Sequence, residues 1–333
     1  FLNALQDFYK VNHIMDAQSN DTVLCYRDTE KSKYMEKVVS NWFQLDLGFP
    51  YELVDGQPHF DVLRLELSEW EYERMMETRI AFMHDDIIYP ISNVAIHSVG
   101  TYLDCSVAFR GIDTCPLGAA ILMAEKFSNL KNLQIIYREC TDKIRPILSV
   151  GGRDFVHIPI TEFFNKAIAN IPGLYTLEKW YVTDMDACAY FSVYGYDKNL
   201  VIKIEGSDLP GKSMRVSAVL LYQGLEFPLR TNRMSHKGEF TEEQYKELFS
   251  GIYQAFDCYK AKRNDVISCP DLSKIELCLG KKRCKDIDFN ALYSLYGTRD
   301  EVVKKIIDTT YVELKHRQKE ILEQFIGSLF MED

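Results

Sequence analysis

The chain has 333 residues, 47% apolar and 13% aromatic, which supplies a sizeable core and excludes disorder as its general state. Its net charge of −10 repels polyanions, so any nucleic-acid contact must come from a local basic patch. No apolar run approaches the roughly 18–20 residues that span a bilayer, so no membrane segment is expected.

The first residues, FLNALQDFYKVNHIM, carry Phe1, Leu2, Leu5, Phe8, Tyr9 and His13 at helical spacing. They lack the basic and apolar regions of a signal peptide. They also lack an initiator Met, so the sequence is expected to begin downstream of its true start. Residues 22–27 read as a strand. Residues 33–45 read as a helix with Tyr34, Val38, Val39 and Phe43 on its apolar side. Gly48, Pro50, Gly56 and Pro58 then break the chain. Ser68 and Glu71 form a capping box that opens a helix to about Phe82.

Residues 87–99 and 101–109 read as strands separated by Gly100. Pro116 opens a helix to about Asn129, with Ala119, Leu122, Met123 and Phe127 inward. Residues 133–139 and 144–150 are strands, residues 155–158 pair briefly, and Thr161 caps a helix bearing Phe163, Phe164, Ala167 and Ile168. Residues 180–182, 187–194, 200–204 and 214–222 follow as strands. After Pro228 the pattern turns helical: one helix from Thr241, one at about 287–296, and one over 299–330 with Leu314, Ile321, Phe325 and Leu329 as its stripe. Strand runs followed by segregated helices predict an α+β fold with a mixed or antiparallel sheet and a C-terminal helical segment. Its parts are an N-terminal α+β region at 1–130, a β-rich core at 131–240 and a helical region at 241–333.

Nine cysteines at wide spacings, with no C-x-x-C pair, point to reduced thiols in a cytoplasmic protein. The spacing of Cys269, Cys278 and Cys284 fits no common zinc pattern. His84-Asp85-Asp86 resembles the His-Asp pair of metal phosphohydrolases, but the remaining histidines complete no such set; a solvated turn explains it. Asp184 and Asp186, two apart in extended chain, share a face and could hold Mg²⁺ or exchange protons; the approach to a strand accounts for them equally. The run from Ser149 through Gly151-Gly152 to Arg153 is too short for a phosphate cradle and reads as a hairpin turn. GSDLPGKS, from Gly206 to Ser213, matches G-x-x-x-x-G-K-S. A β-prone MRVSAVLLYQ follows it where a helix is required, and Pro210 stands where the loop should donate N–H groups.

Two basic groups stand out. Residues 260–285 hold eight cations, Lys262, Arg263, Lys281, Lys282 and Arg283 among them, against three acids. Arg230, Arg233, His236 and Lys237 form the other, with Tyr222, Phe227 and Tyr253 near them in sequence. Phosphate contact plus aromatic stacking is how single strands are held. A solubilising loop between helices is the plainer account.

Residues 131–259 carry IIYRECTDKIRPILSVGGRDFVHIPITEFF, then EGSDLPGKSMRVSAVLL, then His236-Lys237-Gly238. This resembles the domain of unknown function 932 family of phage- and plasmid-borne proteins. That family has an R-x-x-L-S segment, a turn, a short Y/F-x-x-I/L segment, a strand pair flanking S-x-x-G-x-x-S/A-x-x-V, and a His-x-Gly element. The family's Cys-Thr-Asn-Gly run is not kept, the region reading PLRTNRMSHKG. The resemblance implies a mobile-element protein working beside DNA recombination or replication, and it carries over no catalytic residue.

The resulting expectation is a non-enzymatic, phage-type protein that binds or anneals single-stranded DNA, usually as an oligomer, with no cofactor, catalytic residue or metal assigned. Its contacts are Arg153, Arg230, Arg233, His236, Lys237, Lys262, Arg263, Lys281, Lys282 and Arg283. Two alternatives stand beside it. One is a protein–protein module, either an assembly component or an inhibitor of a host defence factor. The other is a metal-dependent nuclease or hydrolase using Asp184, Asp186 or His84.

Overall fold

The structure, a computed structural model, describes residues 1–9, 12–17, 22–27, 39–45, 53–54, 57–58, 61–66, 80–84, 87–91, 95–105, 122, 126, 133–138, 145, 147–152, 154–183, 186–210, 212–237, 240–311 and 314–331. In chain order they form α1 (Leu2–Tyr9), β1 (Asn12–Ala17), β2 (Thr22–Arg27), β3 (Val39–Leu45), β4 (Leu53–Val54), β5 (Gln57–Pro58), β6 (Asp61–Glu66), β7 (Ile80–His84), β8 (Ile87–Pro90), α2 (Ile96–Tyr102), β9 (Leu133–Arg138), β10 (Ile147–Gly151) and α3 (Ile160–Ala169). There follow β11 (Tyr175–Val182), β12 (Ala187–Val193), β13 (Leu200–Gly206), β14 (Met214–Tyr222), β15 (Leu225–Met234), α4 (Glu242–Leu248), α5 (Ile252–Lys262), β16 (Val266–Ser268), α6 (Ser273–Cys284), α7 (Phe289–Tyr293), β17 (Tyr296–Thr298), α8 (Arg299–Thr310) and α9 (His316–Ser328). The fold is α+β, with antiparallel sheets and a helical C-terminal segment.

The organising element is a five-stranded meander, β11 to β15 in sequence order. Its strands are rich in β-branched and aromatic residues, which suit a pleated surface. The last hairpin turns through Gln223 and Gly224, both at positive φ (50° and 80°), the geometry that matches strand twist in a two-residue loop. One face is dry. Ala189, Phe191, Ile202, Ile204, Val216 and Ala218 are buried there with Phe163 and Phe164 of α3 and with Tyr245 and Phe256 of α4 and α5. Two further sheets, β1-β9-β10 and β6-β3-β2-β7-β8, come from the first half of the chain.

Several expectations are corrected. Residues 39–45 are a strand between β2 and β6, because Val39, Trp42 and Phe43 serve a sheet as well as a helix stripe. The helix expected to reach Phe82 meets strand β7 at 80–84, while residues 67–79 lie outside the described residues. The expected strand 87–99 stops at Pro90, and residues 96–102 are helix α2 instead. Short apolar runs do not distinguish the two. Leu122 and Lys126 are helical as expected, and the rest of that helix lies outside the described residues.

Helix α3 begins two residues early, with Pro159 at its N-cap and no side-chain cap, so Thr161 sits inside its first turn. Strand β15 was not expected at all. Pro228, read as a break, is absorbed by a register shift opposite Ala218 and Val219 on an edge strand, where a missing N–H costs nothing.

The helix expected from Thr241 does start there, and Thr241 caps it in a capping box with Gln244. The long helix then divides at Gly251, which takes φ 71°. Asn232 Nδ2 collects the freed carbonyls of Leu248 and Ser250 at 2.9 and 2.8 Å. The loop expected around residues 273–284 is helix α6, bent where Gly280 leaves helical geometry. The single helix expected over 299–330 is two, α8 and α9; Leu322 and Ile326 of α9 and the following Leu329 are buried, Leu329 as expected, while Ile321 is 38% exposed.

Helix α9 lies along β15, and a methyl group added at Gly327 would run into the Pro228 carbonyl. Gly→Ala in a free helix normally stabilises by about 0.5–1 kcal/mol. Gly327→Ala is instead expected to destabilise by about 1–3 kcal/mol through overpacking, read as a lower midpoint in denaturant unfolding.

Candidate nucleic-acid interface

Because residues alternate across a strand, drying one face of the meander commits its other face. The register gives two rows there. Tyr181, Cys188, Glu205, Arg215 and Arg233 are successive neighbours across the five strands. Lys179, Tyr190, Lys203, Ser217 and Thr231 make the next row. Arg215 and Arg233 are therefore direct cross-strand partners. Arg215 Nε donates to Ser213 Oγ at 3.0 Å, and neither guanidinium has an ion pair among the described residues. Like charges directly opposite destabilise a sheet, so an anion between the two would relieve their repulsion.

Lys203 is different. Its Nζ lies 2.9 Å from both Glu205 Oε1 and Glu226 Oε2. Tyr190 donates its hydroxyl to Glu226 Oε1 at 2.6 Å, and Lys179 Nζ sits 3.9 Å over the Tyr190 ring. Burial disfavours the charged Lys203, but Glu205 and Glu226 outweigh it and hold its pKa above the usual lysine value. Burial likewise pushes the Glu226 carboxyl up, and Lys203 with the Tyr190 hydrogen bond brings it below the usual carboxylate range. Burial raises the Cys188 thiol to about 12, which leaves it an inert packing group. The network is charge-balanced. The uncompensated charge belongs to the two arginines.

These rows floor a concavity of about 430 Å³ whose wall is α9, with Lys319, Glu320 and Glu323. A second concavity of about 720 Å³ is lined by Arg230, Arg233, Lys237, Gln244 and Glu247. Thr231 and Arg233 line both, which meet at the β15 edge; Arg230, opposite Ala218, belongs to the helix-bearing side of that edge. Three cations face a single acid in the second part.

The structure divides the expected contacts. Arg230, Arg233 and Lys237 come together in that depression. His236, between them, points inward: it is 5% exposed, its Nδ1 is 3.3 Å from the Val156 carbonyl, and its ring is 5.2 Å from that of Phe155. Arg263 is held by Asp197 at 2.7 Å and Asp300 at 3.6 Å, in a separate cavity of about 80 Å³. Lys262 ends α5, and Lys281, Lys282 and Arg283 lie on α6 beyond the Gly280 bend; none of them lines the β15 depression. Arg153 lies outside the described residues.

The aromatics near the basic group in sequence are engaged elsewhere. Phe227 is fully buried, Tyr253 hydrogen-bonds the Pro172 carbonyl, and Tyr222 lies beneath Lys304 at 5.6 Å. The stacking face available is Tyr181, 42% exposed and in the row of Arg215. Sequence reasoning missed Tyr181 and Arg215. The alternation of Arg215 and Ser217 with Met214, Val216 and Ala218 was the readable signal.

The other candidate chemistry is accounted for locally. Strand β14 follows GSDLPGKS, and Lys212 is tied to Asp186 at 2.8 Å. Asp184, Asp85 and Asp86 lie outside the described residues, and His84 ends β7 half-buried. The thiols of Cys269, Cys278 and Cys284 contact the Pro270, Gln318 and Glu276 carbonyls respectively, rather than one another. Among the described residues no three His, Cys, Asp or Glu side chains gather as metal ligands, and no helix is long and apolar enough to cross a membrane. No protein-family model, curated protein or solved structure matches this chain.

Burial pushes the His236 pKa below 6.5, and this outweighs the opposing hydrogen bond at Val156. The unfolded chain therefore binds the extra proton. The stability held by neutral His236 is complete above 6.5 and is lost as pH falls through that value toward the folded pKa. Thermal unfolding between about pH 8 and 5 is expected to show this decline, and His236→Gln to flatten it.

Proposed function

We propose that the outer face of the β11–β15 sheet binds single-stranded nucleic acid, and that the protein acts there by holding the strand rather than by cleaving it. The observation that carries this reading is the Arg215–Arg233 cross-strand pair, two arginines that make no ion pair among the described residues although Glu205 is the next neighbour of Arg215 in the row. A phosphodiester relieves their repulsion, and arginine's planar fork suits phosphate oxygens. At the β15 edge Arg233 also lines the concavity that holds Arg230 and Lys237, so a strand leaving the outer face there would meet further cations. Tyr181, at the far end of the arginine row, offers a ring on which a base can stack.

The test is fluorescence anisotropy with a labelled single-stranded oligonucleotide over a salt series. Four phosphate-facing cations predict a slope of log K against log salt of about −2.8, at roughly −0.7 per contact. Arg215→Ala with Arg233→Ala is expected to weaken binding at least about tenfold and to flatten the slope by about 1.4. Lys281→Ala with Lys282→Ala, on a different surface, is expected to leave both unchanged. Absence of binding at low salt, or an equal loss from the α6 pair, overturns the reading.

A further inference from the structure

Strand β11 is an open edge. It pairs with β12 on one side and, among the described residues, with nothing on the other. Its first seven residues are all exposed, including Tyr175 (41%), Leu177 (38%), Trp180 (44%) and Tyr181 (42%). The opposite edge, β15, carries a proline and is flanked by α9. Proteins that stay monomeric protect such edges with short strands, prolines or inward charges, because bare N–H and C=O groups template another strand. Eight residues of Tyr-Thr-Leu-Glu-Lys-Trp-Tyr-Val carry no proline, and their only protections are the charges of Glu178 and Lys179 and the bulge at Glu178.

We propose that β11 pairs antiparallel with β11 of a second copy of this chain, across a two-fold axis between Glu178 and Lys179, so that two five-stranded sheets become one. A two-fold contact of a strand with itself must be self-complementary. An axis through residue 178 would oppose two glutamates, and one through 179 two lysines. An axis between them sets Glu178 of each copy opposite Lys179 of the other, two attractive pairs at the centre.

The fold supports this register through a second feature. Pairing with β12 shifts between Leu177 and Lys179, leaving Glu178 as an extra residue. Without that bulge, residues 177 and 180 would lie on opposite faces. With it, Leu177 and Trp180 both lie on the helix-bearing face, opposite Phe191 and Ala189 of β12. Thr176 and Tyr181 both lie on the outer face, opposite Ser192 and Cys188. The proposed register then places Leu177 against Trp180 and Thr176 against Tyr181, each pair on one face, and covers the apolar side chains that are now exposed. This inference does not depend on nucleic-acid binding, though it would set two arginine rows in one continuous sheet.

Sedimentation velocity of the full chain across a dilution series tests it. The native chain is expected to sediment as a concentration-dependent dimer. Glu178→Lys and Lys179→Glu each place like charges at the axis and are expected to weaken self-association by roughly tenfold. Mixed together, these two variants meet as lysines against glutamates, and a heterodimer at least as tight as the native dimer is expected. Hydrogen exchange on the native chain is expected to show amides in 175–182 losing protection on dilution. A native chain that stays monomeric, charge reversals without effect, a mixture that stays monomeric, or β11 protection indifferent to dilution overturns the proposal.

Discussion

The fold hangs on a single dry interface, the inner face of the β11–β15 meander against the helices that follow and precede it. Phe163, Phe164, Tyr245 and Phe256 are fully buried there with Ile202, Ile204, Val216 and Ala218. Each large apolar side chain so covered contributes roughly 1.5–3 kcal/mol. The register is thereby locked, because slipping any strand by one residue would turn this set toward water. Everything on the outer face is a consequence. Arg215 stands opposite Arg233 because Met214 and Met234, the residue beside each along its own strand, pair with one another and are both buried.

The outer face then separates charges by how they are compensated. Lys203, Glu205 and Glu226 close on one another with Tyr190, a network that satisfies its buried members. The arginines beside it stay unmatched. A chain of net charge −10 can still present such a patch, since screening at physiological salt confines each charge's influence to about 8 Å. What a ligand meets is the local arrangement, not the total.

Much of the β-rich core was legible in the amino-acid sequence. Residues 22–27 and 214–222 form strands with the limits read from β-branched runs. The Thr241 cap was readable because it is a local hydrogen-bond pattern. Failures cluster where one local signal supports two outcomes. Val39, Trp42 and Phe43 fit a helix stripe or a strand, and pairing with β2 and β6 decided it. Pro228 reads as a breaker, yet an edge strand with a bulge accommodates it, and without β15 the register that sets Arg233 beside Arg215 was not readable. In α9 the stripe was displaced by one residue, since packing against β15 rotates the buried line onto Leu322 and Ile326.

Among the candidate contacts, composition along the chain identified Arg230, Arg233 and Lys237 as a basic group. It could not distinguish them from His236, which the pleat turns inward, or from Arg263, which meets Asp197 and Asp300 from distant parts of the chain. By itself the sequence determined the α+β class, the alternation of the central strands and the presence of two basic clusters, because these follow from local periodicity and charge. Only the tertiary structure decided which cations share a surface, which are neutralised, and that Arg215 joins Arg233. Cross-strand neighbours are set by the register of a buried face, a long-range packing choice that no local window contains.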